Sequence, residues 1–121
     1  MHDISAEFIK RFVSSWLSAW NQHDPCVIKD FYAPNVEFYS PHIMMIYGMG
    51  TGKVVGRDEL CDYYRAVMAL MPQITFTLKA VFMGNRSMTI HYLINPGGAI
   101  SDFMVFDEFG KIREIHTNFA I

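Results

Sequence analysis

The chain holds little that a metal ion, a nucleic acid or a membrane would need. It has two cysteines, Cys26 and Cys61, far apart and outside any CxxC arrangement. That spacing excludes a thiolate metal knuckle or a dithiol redox motif, and we expect buried, reduced thiols in a cytoplasmic protein. No two of the five histidines stand at helical ligand spacing, so we expect no metal site and no cofactor. Charged residues make up 18% of the chain and the formal net charge is −2, which leaves no basic footprint for nucleic acid. No apolar run approaches the length of a membrane span. The opening MHDISAEFIKRF is amphipathic and acidic early, unlike the basic-then-apolar layout of a secretory signal. Repeats, low-complexity tracts and linkers are absent too, so residues 1–121 read as one domain.

What is abundant is apolar side chain. At 51% hydrophobic residues, a chain of 121 can bury roughly two-thirds of its unfolded surface. Phe8, Ile9, Phe12, Val13, Trp16, Leu17 and Trp20 recur at helical spacing behind Ser5, a suitable N-cap, and predict a helix from about Ser5 to Asn21. Asp24-Pro25 predicts a second, short helix ended by Pro34. Leu60, Tyr63, Tyr64, Val67 and Met68 predict a third over 57–70. VEFYS (36–40) reads as a short strand. After it, HIMMIYGMGTGKVVG is a long glycine-punctuated segment; its Met44, Met45 and Met49 suit either a lid over an apolar cavity or ordinary core packing. Four strands follow, Gln73 to Met83, Arg86 to Ile94, Ala99 to Phe106 and Lys111 to Ile121, joined by short turns. This order predicts an α+β fold, a curved antiparallel sheet wrapped around three N-terminal helices.

Alternation sorts the strand residues onto two faces. One set holds Ile74, Phe76 and Leu78; Met88, Ile90 and Tyr92; Ile100, Asp102 and Met104; Ile115, Thr117 and Phe119. Being nearly all apolar, it must face the helices. The other set is mixed, too apolar at Phe103 and Val105 for plain exposure, and a partner copy covering it predicts a homodimer. Two polar side chains interrupt the inner set. The Thr117 hydroxyl is easily satisfied locally, but Asp102 is not: a carboxylate taken out of water without a partner is held as a neutral acid. The same residue, after a glycine turn, would instead be an ordinary solvated aspartate if the strand's mouth stays wet.

DFMVFDEFGKI (102–112) resembles the ketosteroid isomerase pattern D-x-M-x-F-D-E-x-G-R-I, with lysine for arginine. FYAPNVEFYSP (31–41) and GRDELCDYYR (56–65) resemble two further stretches of that family, and the order of elements is similar to the nuclear transport factor 2-like superfamily in its SnoaL-like and ketosteroid isomerase branch. The resemblance implies that fold, with its sheet curved into a cone, over the whole chain. It also implies that Asp102 is a protonated acid donating a hydrogen bond to a developing enolate, the use of a neutral carboxylic acid for which ketosteroid isomerase is a standard example. Tyr32 and Tyr64 fall on a hydroxyl network of some isomerases. The departures are as informative. Trp16 stands at the oxyanion-hole tyrosine, Ser40 at the general-base aspartate, and Thr117 at the acid/base aspartate of the polyketide cyclases. The arginine-flanked aspartate pair of the epoxide-hydrolase relatives is not recognisable.

From these residues we expect a small lyase, isomerase or cyclase acting on an apolar cyclic carbonyl or polyketide-like compound. Asp102 would be its acid and Tyr64 a further hydroxyl donor; His42 is either its base, since histidine exchanges protons near neutral pH, or an ordinary solvated loop histidine. Trp16 would orient the substrate with its indole N–H. Trp20, Ser40, Tyr63, Met68, Met88, Ile90, Met104, Thr117 and Phe119 would complete the walls. The alternative, on the same fold, is a non-catalytic homodimeric module that binds a ligand or another protein. The partners expected are a small apolar molecule and a second copy of the chain, with no nucleic acid and no membrane.

Overall fold

The computed structural model describes residues 3–48 and 50–121. Helix α1 (Ala6–Asn21) begins with the Ser5 hydroxyl accepting from the Phe8 amide at 3.1 Å, and it buries Ile9, Phe12, Val13, Trp16 and Trp20. The proline-started second helix is a 3-10 helix, Pro25–Phe31, and ends before Pro34. Pro34 instead lies in β1 (Tyr32–Tyr39), within the stretch where pairing with the neighbouring strand is irregular and its missing N–H is tolerated. The glycine-punctuated segment is not all loop. It contains a short helix, α2 (Ile43–Tyr47), closed by Gly48 at φ 72°, and a short strand, β2 (Lys53–Val55). Met44 and Met45 point to solvent rather than inward, and Met49 lies outside the described residues. Helix α3 (Arg57–Leu70) has the predicted bounds.

Strands β3 (Thr75–Gly84), β4 (Ser87–Asn95), β5 (Ala99–Phe106) and β6 (Ile112–Phe119) complete a six-stranded open sheet in the order β2-β1-β6-β5-β4-β3. Neighbouring strands are antiparallel except β1 and β6, which are parallel. The expected antiparallel sheet is therefore a mixed one: β1 and β6 lie at opposite ends of the chain and are joined by everything between them, not by a hairpin. The curved sheet wraps its inner face over α1 and α3. A bulge between Leu78 and Ala80 changes the phase of β3. Leu78, expected inside, is 38% exposed, and Val81 and Met83 take the places opposite Ile90 and Met88.

Cys26 and Cys61 form a disulfide, with Cα atoms 5.4 Å apart, so the expectation of reduced thiols is corrected. The turn begun at Pro25 packs against α3 and brings together residues that sequence spacing leaves apart. The free-thiol argument for a cytoplasmic setting falls with it. Among the described residues no helix is long and apolar enough to cross a membrane.

The end of α1 grips the outermost strand. Asn21 accepts from the Phe76 amide at 2.7 Å and donates to the Phe76 carbonyl at 3.0 Å, and His23 lies 2.8 Å from the Ile74 carbonyl. One side-chain amide thus replaces the missing neighbour strand. Asn21→Ala should lower the unfolding free energy by about 1–3 kcal/mol, because it leaves both backbone groups of Phe76 unpaired. Urea denaturation checks this, and a loss near zero would show that water satisfies them equally well.

Candidate active site

Within the curl of the sheet is a cavity of about 100 Å³. Trp16 and Trp20 of α1 and Tyr63 and Tyr64 of α3 form one side. Phe76, Tyr92, Asp102, Thr117 and Phe119 come from the sheet, and Ser40, His42 and Ile46 close it from the segment after β1. Alternation explains the sheet residues: Ile90, Asp102 and Thr117 are paired across β4, β5 and β6, and Tyr92, Ile100 and Phe119 form the next inner row.

Asp102 is buried, at 4% exposure, not wet at a strand mouth. Its Oδ2 accepts from the Tyr92 hydroxyl at 2.8 Å, while Oδ1 has no hydrogen-bond partner. Burial lifts its pKa from the ordinary 3.8 to about 6, and the Thr117 and Tyr92 hydroxyls, which favour the ionised form, offset only part of that rise. Around it the phenols are held neutral. Burial pushes Tyr64 and Tyr92 well above the usual phenol range, helped by the nearby Asp102 charge, and pushes Tyr63 up to about 12 against a hydrogen bond from Ser40. Tyr32 is likewise raised by burial, beside Tyr64 and Trp16. The Trp16 and Trp20 indole N–H groups are buried with no acceptor. The cavity therefore offers donors and one convertible carboxyl in apolar walls.

Nine of the predicted site residues line this cavity: Trp16, Trp20, Ser40, His42, Tyr63, Tyr64, Asp102, Thr117 and Phe119. Met88, Ile90 and Met104 do not. They are 1%, 0% and 0% exposed, packed in the hydrophobic core, with Met88 and Met104 one row further along the sheet. Met68 is half-buried against the core, and Val67 of α3 and Met71, which caps that helix, line the cavity instead. His42 stacks on Phe119 with ring centroids 3.6 Å apart. Its amide donates to the Ser40 hydroxyl at 3.2 Å, so Ser40 serves as a turn residue at the entrance to α2. Sequence reasoning missed Phe76 and above all Tyr92. Both had been sorted to the inner face; only the register of the β4–β5 hairpin makes Tyr92 a diagonal neighbour of Asp102. Among the described residues no cluster of three metal-ligating side chains occurs.

The SnoaL-like domain model matches residues 13–115. No curated protein sequence matches the chain. A SnoaL-like protein of unknown function from Burkholderia thailandensis is 28% identical, with 98% of this chain and 100% of that one covered and a TM-score of 0.88. A candidate isomerase of the SnoaL-like family from Agrobacterium tumefaciens is 14% identical over 90% and 94% of the two chains, with a TM-score of 0.71. A hypothetical protein of ketosteroid isomerase-like fold from Catenulispora acidiphila, in complex with trimethylamine, is 13% identical over 90% and 85%, at 0.70. At such identities the last two establish shared fold only.

A carboxyl whose folded pKa is raised binds its proton more tightly folded than unfolded, so its penalty on stability is absent below about pH 4 and complete above about pH 6. Asp102→Asn should accordingly stabilise the fold at pH 7, by as much as about 3 kcal/mol, and leave it unchanged at pH 3. Denaturation at the two pH values checks this; equal effects at both would mean that Asp102 is not held in a raised state.

Proposed function

The chain belongs to the SnoaL-like family, and from that premise we propose that it is a small lyase, isomerase or cyclase acting on a single-ring carbonyl compound. The observation that carries this is the buried Asp102, one oxygen held by Tyr92 and the other unpartnered, in an aromatic cavity. Ligand sites usually span about 300–1,000 Å³, so about 100 Å³ favours one ring over a fused polycyclic. The trimethylamine held by the Catenulispora relative is also a small molecule.

In this reading the neutral Asp102 donates from Oδ1 to the ketone oxygen. His42, the only basic side chain among the described residues lining the cavity, takes a proton from the adjacent carbon. The electron pair of that C–H bond moves into the carbonyl, and the enolate oxygen is stabilised by Asp102 in a site with little water. Return of the proton at another carbon gives isomerisation; expulsion of a leaving group gives elimination. An apolar ring entering the cavity removes water from Asp102 and raises its pKa further, which keeps the acid neutral during the reaction. A non-catalytic reading draws on Ser40, which stands where the resemblance sets a base and is engaged by the His42 amide. Tight ring binding with no turnover would favour it.

Because the acid form is required, kcat/KM should fall as pH rises through about 6. Asp102→Asn should lower it by about 10²–10³. Screening cyclic enones and ketones for turnover, with tryptophan fluorescence to register binding, is the test. No response of either kind across such a panel would sink the reading.

We further propose that the chain works as a homodimer through the outer sheet face. Phe82 and Phe103, 53% and 40% exposed, lie in one cross-strand row through Thr89. Analytical ultracentrifugation should give a dimer that Phe103→Glu converts to monomer; a monomeric parent protein would overturn this.

A further inference from the structure

We propose that Tyr92 is a positioning residue that decides which oxygen of Asp102 meets the ligand. The inference rests on the reading of Asp102 as the acid of this site, and adds a residue to which neither motif nor resemblance assigns a role. Tyr92 stands opposite Ile100 and Asp102 opposite Ile90, so the two are diagonal neighbours on the inner face. The phenol reaches Oδ2 at 2.8 Å. Its ring has little freedom: it stacks on Phe76 with centroids 5.0 Å apart and planes at 17°, and meets Trp16 edge-on at 5.0 Å and 71°.

A hydroxyl that donates to Oδ2 makes that oxygen the poorer place for the proton. The neutral acid therefore carries its hydrogen on Oδ1, the oxygen without a partner in a residue that lines the cavity. Without Tyr92 the carboxyl could protonate on either oxygen and turn about its χ2 torsion, which is broad for aspartate. The other ionisable groups near Asp102 are Tyr32 from β1 and Tyr64 from α3, both neutral phenols, and Thr117 across β6 adds a hydroxyl. The Thr117 hydroxyl also favours the ionised carboxyl, while Tyr92 is the residue whose hydroxyl is fixed on Oδ2, at 2.8 Å.

The test is the titration of Asp102 followed by carbon-13 carboxyl NMR, with Asp102→Asn to assign the signal, in the parent protein and in Tyr92→Phe. Losing a donor to the ionised form should raise the midpoint by about one pH unit or more, a tenfold change in the protonation equilibrium. An unchanged midpoint in Tyr92→Phe, beside a parent value near 6, would overturn the role of Tyr92 and leave the acid reading intact. A parent value near 3.8 would overturn the acid reading itself. Should Tyr92→Phe fail to fold, the hydroxyl proton of Tyr92 in the parent protein decides. A slowly exchanging, downfield resonance that moves with the Asp102 titration is expected, and one indifferent to it would overturn the proposal.

Discussion

Trp20 stacks on Phe76 with centroids 4.6 Å apart, Phe76 stacks on Tyr92 at 5.0 Å, and Tyr92 ends the series with a hydroxyl on Asp102. This run of rings crosses from α1 through β3 to β4 and delivers a donor to β5. It is at once the packing that holds the first helix to the sheet and the support of the carboxyl. Aromatic pairs in such geometry contribute about 0.5–1.5 kcal/mol each beyond the area they bury. They also fix ring orientation, which a core of aliphatic side chains would leave looser.

The site and the core are thus made of the same residues, and they pull in opposite directions. A buried carboxyl with an unpartnered oxygen opposes folding at neutral pH, while the rings around it favour folding. An apolar residue at 102 would serve the core better. That a carboxyl stands there, one oxygen held by Tyr92 and the other unpartnered, is a local conflict within an otherwise consistent core.

Much of this was legible in the sequence. Ser5 and the apolar face behind it mark α1, the glycine–arginine start and the spacing of Leu60, Tyr63 and Tyr64 mark α3, and alternation placed Asp102 and Thr117 on the inner face. What alternation cannot give is register. The Tyr92–Asp102 bond, the bulge that changes the phase of β3 after Leu78 and the row that keeps Met88 and Met104 away from the cavity all depend on how strands slide against each other. Long-range closeness was equally hidden: Cys26 meets Cys61, and β1 meets β6 in parallel, through contacts that no local pattern encodes. Pro34 misled because proline ends a helix more often than it enters a strand, and here it does the latter at a break in the ladder.

The grip of Asn21 and His23 on β3 has a consequence for how these molecules coexist in solution. β3 is an outer strand of an open sheet, and such a strand invites a foreign strand to pair with it. By occupying the backbone of Ile74 and Phe76, the end of α1 denies an intruder its first foothold. Beyond that point the bulge at Lys79 bends the strand and sets a cation on it. A straight, continuous template for fibril growth is therefore withheld, even though Val81, Phe82 and Met83 lie open to solvent just further along.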